Sequence, residues 1–229
     1  MMKNFILFTA CSFLFMQPGL ADRPKVAIQL LIDDSGTLTD PETAEQYKQQ
    51  VFHLMNQYKK VRRFSRSQIS VISTAYGRTK WIGNLSDLKS NRAHELLKVI
   101  KAAPDRCNNL TGAFKELRTN LRHLTIEGYK EVHIYVFSSL IHTPVPCTGA
   151  EITLPQPPPL SAGVNKILTS SESISSVTFY WINPHQKRVW LDYLEPTINW
   201  LKAKNGRFNF LDISNSIYRL QKGLEGVQK

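Results

Sequence analysis

Along the chain, short continuous apolar runs alternate with longer segments in which apolar residues recur every three or four positions. The run KVAIQLLI, residues 25–32, suits a central strand that is buried on both faces of a sheet. In the next segment, helical spacing separates Tyr47, Val51, Leu54 and Tyr58. This alternation predicts an α/β sandwich built around a mostly parallel sheet.

The same alternation continues to the end of the chain. Two strands are predicted at 67–77 and 79–83, joined by a tight hairpin around Gly77 and Arg78. The later predicted elements are helices at 85–104 and 110–124, a buried strand at 130–140, a Pro-rich surface loop at 141–160, a short helix at 160–170, a strand at 175–183, a helix at 185–206 interrupted at Pro196, a strand at 207–212 and a closing helix at 213–226.

The first residues have the features of an export signal. Lys3 precedes about a dozen apolar-dominated positions, and residues 17–21 end on small residues that suit signal peptidase. The apolar run is shorter than the roughly 20 residues that span a bilayer. We therefore expect a cleaved signal peptide at 1–21, no transmembrane segment after cleavage, and one domain at 22–229 in the bacterial periplasm or outside the cell.

Cysteine usage adds one covalent constraint to this picture. Loss of the signal would remove Cys11 and leave Cys107 and Cys147, which can pair in an oxidising compartment. Such a disulfide would close a loop of about 40 residues and stabilise the fold by about 4 kcal/mol on the chain-entropy model. It would also tie the Pro-rich loop over the strand ends.

The charge balance favours anionic partners. The chain has 29 Lys and Arg against 18 Asp and Glu, a net charge of +11. Acidic proteins, anionic membrane surfaces and polyanions are all attracted by such a surface. The densest basic run, residues 59–66, is interpreted as a solvated helix end, which makes nucleic acid an unfavoured partner and leaves an anionic membrane surface open.

Candidate chemistry follows the first predicted strand. Asp33, Ser35 and Thr37 alternate as D-x-S-x-T, and Gly36 permits a tight turn between them. Ligands of open parallel sheets bind at the carboxyl ends of strands. A carboxylate and two hydroxyls are oxygen ligands of the kind that a hard cation prefers. The alternative is a purely structural role, in which this motif only caps the following helix.

These residues resemble the von Willebrand factor type A (vWA) domain, whose metal-ion-dependent adhesion site opens with D-x-S-x-S. The order of segments is similar to that family from Lys25 to about Ser139. The resemblance implies a three-layer sandwich with a mostly parallel six-stranded sheet, one antiparallel edge strand and helices on both faces. It also implies a protein partner whose acidic side chain completes the metal shell.

Two departures from the family pattern affect the site. Asn108, in NNLTGAF, stands where the family has Thr, and Ser138, in VFSS, stands where it has Asp. The implied metal ligands are Asp33, Ser35, Thr37, Asn108 and Ser138. Mg²⁺ is the expected ion, with Mn²⁺ and Ca²⁺ as alternatives, and the loss of one carboxylate should weaken its binding.

The resulting functional prediction is an exported, non-enzymatic protein-binding or assembly module in a bacterial secretion, adhesion or envelope complex. The alternative is a periplasmic phosphohydrolase, because DDSGTLTD also resembles the first motif of haloacid-dehalogenase-like enzymes, with Asp33 as nucleophile. Ser35 occupies the position of the acid/base Asp of that motif, which disfavours the enzyme.

Overall fold

The computed structural model describes residues 25–35, 41–60, 64, 66–87, 103, 106–143 and 152–222. The strands are β1 (Val26–Ile32), β2 (Gln68–Ser73), β3 (Arg78–Asn84), β4 (Glu131–Phe137), β5 (Ile174–Ile182) and β6 (Arg207–Asp212). The α-helices of the described part are α1 (Pro41–Lys60), α2 (Leu110–Ile126), α3 (Val164–Leu168), α4 (Pro184–Ala203) and α5 (Ile213–Lys222). Short 3₁₀ turns lie at Leu85–Asp87 and Leu160–Ala162.

The six strands form one sheet in the order β3-β2-β1-β4-β5-β6. Only the pair of β2 and β3 among these strands is antiparallel. The predicted mostly parallel sheet with one antiparallel edge strand is therefore confirmed. All residues of β1 are buried, because this strand lies between β2 and β4 and is covered on both faces.

The two faces of the sheet carry separate hydrophobic cores. On one face, Leu117 of α2 and Trp190 of α4 pack against alternate residues of the sheet, including Leu31. On the other face, Tyr58 of α1 packs with Ile28 and its neighbours on the same strand face. This double coverage gives the predicted three layers and explains the unbroken apolar run of β1. Within the described ranges, no helix has the length and apolarity needed to cross a bilayer.

Helix α4 differs from its prediction. The sequence predicts an interruption at Pro196, but the helix runs unbroken from Pro184 to Ala203. Proline removes one backbone donor from the helix, and that cost is outweighed because the flanking residues Leu194 and Leu201 are fully buried against the core. The predicted helix at 85–104 lies largely outside the described residues, and its first three residues form a 3₁₀ turn.

The turn between β2 and β3 packs closely against the first residues of α2. Gly77 has φ +60°, and a Cβ built there would lie 3.0 Å from the Cα of Gly112. We expect Gly77→Ala to lower the free energy of unfolding by about 2 kcal/mol, through the left-handed backbone and the crowding together. Urea unfolding measures this change.

Gly128 provides the matched control for this prediction. Gly128 has φ +78°, and a Cβ added there would meet nothing within 4 Å in the described part of the chain. Gly128→Ala therefore tests the backbone conformation alone. We expect this control to cost about 1 kcal/mol. Equal costs at the two glycines would contradict the close contact between the turn and α2.

Candidate functional site

Two predicted site residues lie where neighbouring parallel strands end. Asp33 follows β1 and Ser138 follows β4, and the Asp33 backbone N–H donates to the carbonyl of Phe137 at 2.8 Å. The Ser138 hydroxyl donates to Asp33 Oδ2 at 3.1 Å. Ser35 donates to Asp33 Oδ1 from its hydroxyl at 2.5 Å and from its backbone N–H at 3.2 Å. Polar groups from both strand ends thus donate hydrogen bonds to the carboxylate of Asp33.

Asn108 joins this cluster from the loop before α2. Its side-chain Nδ2 donates to Asp33 Oδ2 at 2.8 Å, to Ser138 Oγ at 3.1 Å and to the carbonyl of Ile141 at 2.9 Å. Its Oδ1 is buried and has no hydrogen-bond partner within the described part of the chain. Four of the five predicted ligands therefore meet at one place, while Thr37 lies outside the described residues.

The cluster is closed to solvent in this structure. Asp33 is 1% exposed, Ser138 is 1% exposed, and Ser35 and Asn108 are fully buried. Burial raises the pKa of Asp33, and the nearby charge of Asp34 raises it further. Hydrogen bonds from Ser35 and Ser138 oppose this effect and lower the pKa of Asp33. The carboxylate thus accepts hydrogen bonds from the neutral side chains of Ser35, Asn108 and Ser138.

Asp34 belongs to a different set of contacts. Its carboxylate accepts from Ser73 Oγ at 2.7 Å and from the backbone N–H of Ala75 at 3.0 Å, and Lys80 Nζ lies 3.0 Å away. The Asp34 carboxylate therefore holds the β2–β3 turn and Lys80 of β3, while its charge acts on the neighbouring Asp33 only through space.

Tyr47 of α1 is a site residue that sequence reasoning treats only as core. Its hydroxyl accepts from the Asp33 backbone N–H at 2.9 Å and donates to the carbonyl of Phe137. Burial raises the pKa of Tyr47 well above its ordinary value, so the hydroxyl stays protonated. No local motif marks this role, because the contact joins a helix to two strand ends that are distant in sequence.

The donor set suits a hard cation in its chemistry. Asp33 supplies a carboxylate, Ser35 and Ser138 supply hydroxyls, and Asn108 supplies an amide oxygen, Oδ1, to which no group of the described ranges donates. A buried acceptor without a partner costs free energy that a bound ion would recover. Within the described ranges, no three His, Cys, Asp or Glu side chains are grouped as metal ligands, so these residues offer an ion the carboxylate of Asp33 together with neutral oxygens.

Burial of Asp33 has a consequence for pH dependence in EDTA. Because the folded-state pKa is raised above the ordinary 3.8, the fold takes up a proton before the unfolded chain does as the pH falls. The free energy of unfolding of the wild type should therefore rise relative to that of Asp33→Asn between neutral pH and 3.8. Urea unfolding of both proteins across this range measures the difference.

The control for this titration is Asp192→Asn, whose side chain is 75% exposed. A pH-dependent change that appears equally in Asp192→Asn would not come from the burial of Asp33. If the wild type instead loses stability relative to Asp33→Asn on acidification, the hydrogen bonds from Ser35 and Ser138 outweigh burial at this carboxyl.

Cys107 and His142 border the cluster. Cys107 directly precedes Asn108, is buried and is disulfide-bonded. Cys147 lies outside the described residues, so its pairing with Cys107 remains a prediction. The His142 ring contacts the carbonyl of Asn108 at 3.2 Å, and partial burial lowers the pKa of His142.

A second polar cluster lies on the sheet between β4 and β5. His133 contacts Ser176 Oγ through Nδ1 at 2.7 Å and Glu131 Oε1 through Nε2 at 2.9 Å. This order of hydroxyl, imidazole and carboxylate is that of a nucleophilic triad. Ser176 is only 4% exposed, and Tyr58 and Phe64 pack on the His133 ring, so among the described residues the hydroxyl has no open path to a substrate.

Comparison with solved structures shows which known proteins have a similar fold. No protein-family model matches the chain, and no curated protein sequence matches it. Among solved structures, the chain is similar to the pilus adhesin SpaC of Lactobacillus rhamnosus GG, with a TM-score of 0.57 and 10% identity over 87% of this chain and 30% of that chain. It is also similar to the PilB minor pilin of Streptococcus sanguinis, with a TM-score of 0.53 and 9% identity over 89% of this chain and 60% of that chain.

At these identities the likeness concerns the fold. The six-stranded sheet with flanking helices is of the vWA-like or Rossmann-like α/β type, as the sequence resemblance implies. The chain spans 60% of the PilB chain and 30% of the SpaC chain, so it corresponds to a part of each of these larger chains.

Proposed function

We propose that this chain is an exported, non-enzymatic protein-binding or assembly module that recognises its partner at the carboxyl ends of β1 and β4. The observation that carries the proposal is the convergence of Ser35, Asn108 and Ser138 on the carboxylate of Asp33. Topology alone places these residues together, since they come from three separate segments. Likeness of the fold to a pilus adhesin and a minor pilin supports the same class of function.

The proposal includes a divalent cation at this cluster. Mg²⁺ would be held by oxygens of Asp33, Ser35, Thr37, Asn108 and Ser138, and Mn²⁺ and Ca²⁺ prefer the same kind of ligand. Asn108 would have to turn its amide so that Oδ1 rather than Nδ2 faces Asp33, and Oδ1 has no hydrogen-bond partner to lose among the described residues. When bound, the ion supplies positive charge to the buried carboxylate and a coordination position for an acidic side chain of the partner.

The proposed setting is the bacterial periplasm or the cell exterior, within a secretion, adhesion or envelope complex. Its support is the signal-like composition of residues 1–21, which lie outside the described residues. A Cys107–Cys147 disulfide belongs to the same proposal, because an oxidising compartment would form it.

The geometry of Asp33 argues against the phosphohydrolase. A nucleophilic carboxylate must reach the phosphorus of its substrate, but Asp33 is 1% exposed and both of its oxygens accept hydrogen bonds from protein groups. Ser35, which stands at the position of the acid/base Asp of that enzyme class, donates its hydroxyl to the same carboxylate and so does not supply this group.

Partner capture from the native cell tests the proposal. Immobilised protein should retain a specific protein partner in Mg²⁺ and release it in EDTA. Saturating Mg²⁺ should also raise the melting temperature, since ligand at 100 times its dissociation constant adds about 2.7 kcal/mol.

Different results would overturn different parts of the proposal. Hydrolysis of a generic phosphate ester that requires Mg²⁺ and disappears in Asp33→Asn would overturn the non-enzymatic function. Capture that is equal in Mg²⁺ and EDTA, with an unchanged melting temperature, would remove the cation and keep the binding module.

A further inference from the structure

Three cationic side chains surround one exposed tyrosine beside the strand ends. We call Tyr76, Arg78, Lys80 and Arg106 the rim cluster. Lys80 Nζ lies 3.9 Å from the centroid of the Tyr76 ring, and the guanidinium carbons of Arg106 and Arg78 lie 5.4 and 5.5 Å from it. Tyr76 is 38% exposed, and both arginines are exposed. The cluster therefore presents a flat ring bordered by positive charge.

The charges of the rim cluster are only partly compensated. Lys80 forms an ion pair with the buried Asp34 at 3.0 Å. Neither Arg78 nor Arg106 forms an ion pair with a carboxylate of the described residues. Two guanidinium groups against the same ring repel each other, and the electron-rich face of the ring offsets this only in part. A bound anion would remove the repulsion.

The rim cluster is held in place by the buried groups beneath it. The carboxylate of Asp34 fixes the turn through the Ser73 hydroxyl and the Ala75 N–H, and Gly77 packs against Gly112 at the start of α2. A platform that is already ordered loses little conformational entropy when a ligand binds.

The rim cluster also borders the proposed site. Asp34 directly follows Asp33 in the chain, and Arg106 lies two residues before Asn108. A partner that docks on the strand ends would therefore lie close to the arginines of the rim cluster. The inference that follows rests on the proposed function and names the chemistry of its partner.

We infer that the rim cluster binds a carboxylate of the protein partner, in an acidic segment with apolar neighbours. The planar fork of a guanidinium pairs with a carboxylate through two parallel hydrogen bonds, and two such forks stand together here. The basic patch does not continue along β3, where Trp81 and the 55% exposed Ile82 follow Lys80. A long polyanion would find few further cations there, whereas an acidic peptide with apolar residues finds matching surface.

Fluorescence anisotropy with a defined probe tests this inference. The probe is a fluorescein-labelled six-residue peptide of alternating Glu and Leu, and its Gln and Leu counterpart reports the contribution of the carboxylates. The rim variant combines Arg78→Gln and Arg106→Gln. The control variant combines Arg118→Gln and Arg122→Gln, which removes the same charge from exposed positions of α2.

We expect the rim variant to bind the acidic peptide at least about tenfold more weakly than the wild type, as the loss of one charge-assisted contact predicts. The control variant should lose less than about threefold, because it changes only the long-range field. Similar losses in the two variants would overturn the inference. A rim variant that loses binding of a heparin oligosaccharide but not of the peptide would also overturn it, and would assign the cluster to sulfated glycans.

Partner capture separates this inference from the proposed function. If the wild type and the rim variant retain the same native partner equally well, the inference fails and the proposed function stands. If the wild type retains no partner, the proposed function fails. Loss of the partner in the rim variant but not in the control variant supports both.

Discussion

Replacing Asn108 by Asp is expected to destabilise the protein in EDTA by about 3 kcal/mol or more, because it buries a second carboxylate beside the first. In the wild type, Nδ2 of Asn108 donates to Asp33 at 2.8 Å and to Ser138 at 3.1 Å. A carboxylate at this position offers no such donor unless it is protonated. The two acids would then share a proton, so the loss of stability should grow as the pH rises.

The same substitution should make the protein more responsive to divalent cations. A second carboxylate among the oxygens of Asp33, Ser35 and Ser138 raises the charge available to Mg²⁺. We expect Mg²⁺ to raise the melting temperature of Asn108→Asp by more than that of the wild type. Thermal unfolding with EDTA and with a Mg²⁺ series measures both effects.

Asn109→Asp is the matched control for this experiment. Asn109 caps α2 by accepting from the N–H of Gly112 at 2.8 Å, and Asp is an equally good residue at a helix N-cap. The control adds the same charge one residue away and should leave stability within about 0.5 kcal/mol of the wild type. If Asn108→Asp is equally harmless in EDTA, the amide of Asn108 does not hold Asp33 in the folded protein.

Replacing Asp34 by Ala is the second change with a large expected effect. Asp34 is 3% exposed and accepts hydrogen bonds from Ser73, Ala75 and Lys80. Its removal leaves a buried N–H and a hydroxyl without an acceptor and leaves Lys80 without its counter-charge. We expect the free energy of unfolding to fall by about 3 kcal/mol.

Urea unfolding of Asp34→Ala, with Asp192→Ala as control, measures this effect. The Asp192 side chain is 75% exposed and lies 3.9 Å from Arg188, so its loss should cost less than about 0.5 kcal/mol. Asp34→Ala should also weaken binding of the acidic peptide, because Asp34 positions the turn that carries Tyr76. A stability loss without any change in peptide binding would show that the turn keeps its position without this carboxylate.

Much of the fold could be predicted because its signals are local. An unbroken apolar run marks β1, and the switch to helical spacing marks α1. The partnership of Asp33 and Ser138 follows from topology, since both come directly after parallel strands. The interruption expected at Pro196 was wrong because propensity describes the isolated helix, whereas burial of Leu194 and Leu201 decides its fate in the protein.

Other parts of the site depend on contacts that no local pattern encodes. Asn carries a donor and an acceptor at nearly the same place, so the sequence alone does not predict that Nδ2, and not Oδ1, of Asn108 faces Asp33. The contact of His133 with Ser176 requires the register between β4 and β5. The contact of Lys80 with Asp34 joins β3 to the end of β1 across the intervening strand β2, so it requires the strand order of the sheet.

Tyr47 links helix α1 to the ends of β1 and β4 through its hydroxyl. Its hydroxyl is bonded to the Asp33 N–H and to the carbonyl of Phe137, and its ring lies 5.7 Å from that of Trp181. Displacement of α1 along its axis would break both hydrogen bonds, so a force applied to this helix would act directly on the backbone at Asp33. The indole of Trp181 lies next to the Tyr47 ring and would report such a displacement as a change in fluorescence.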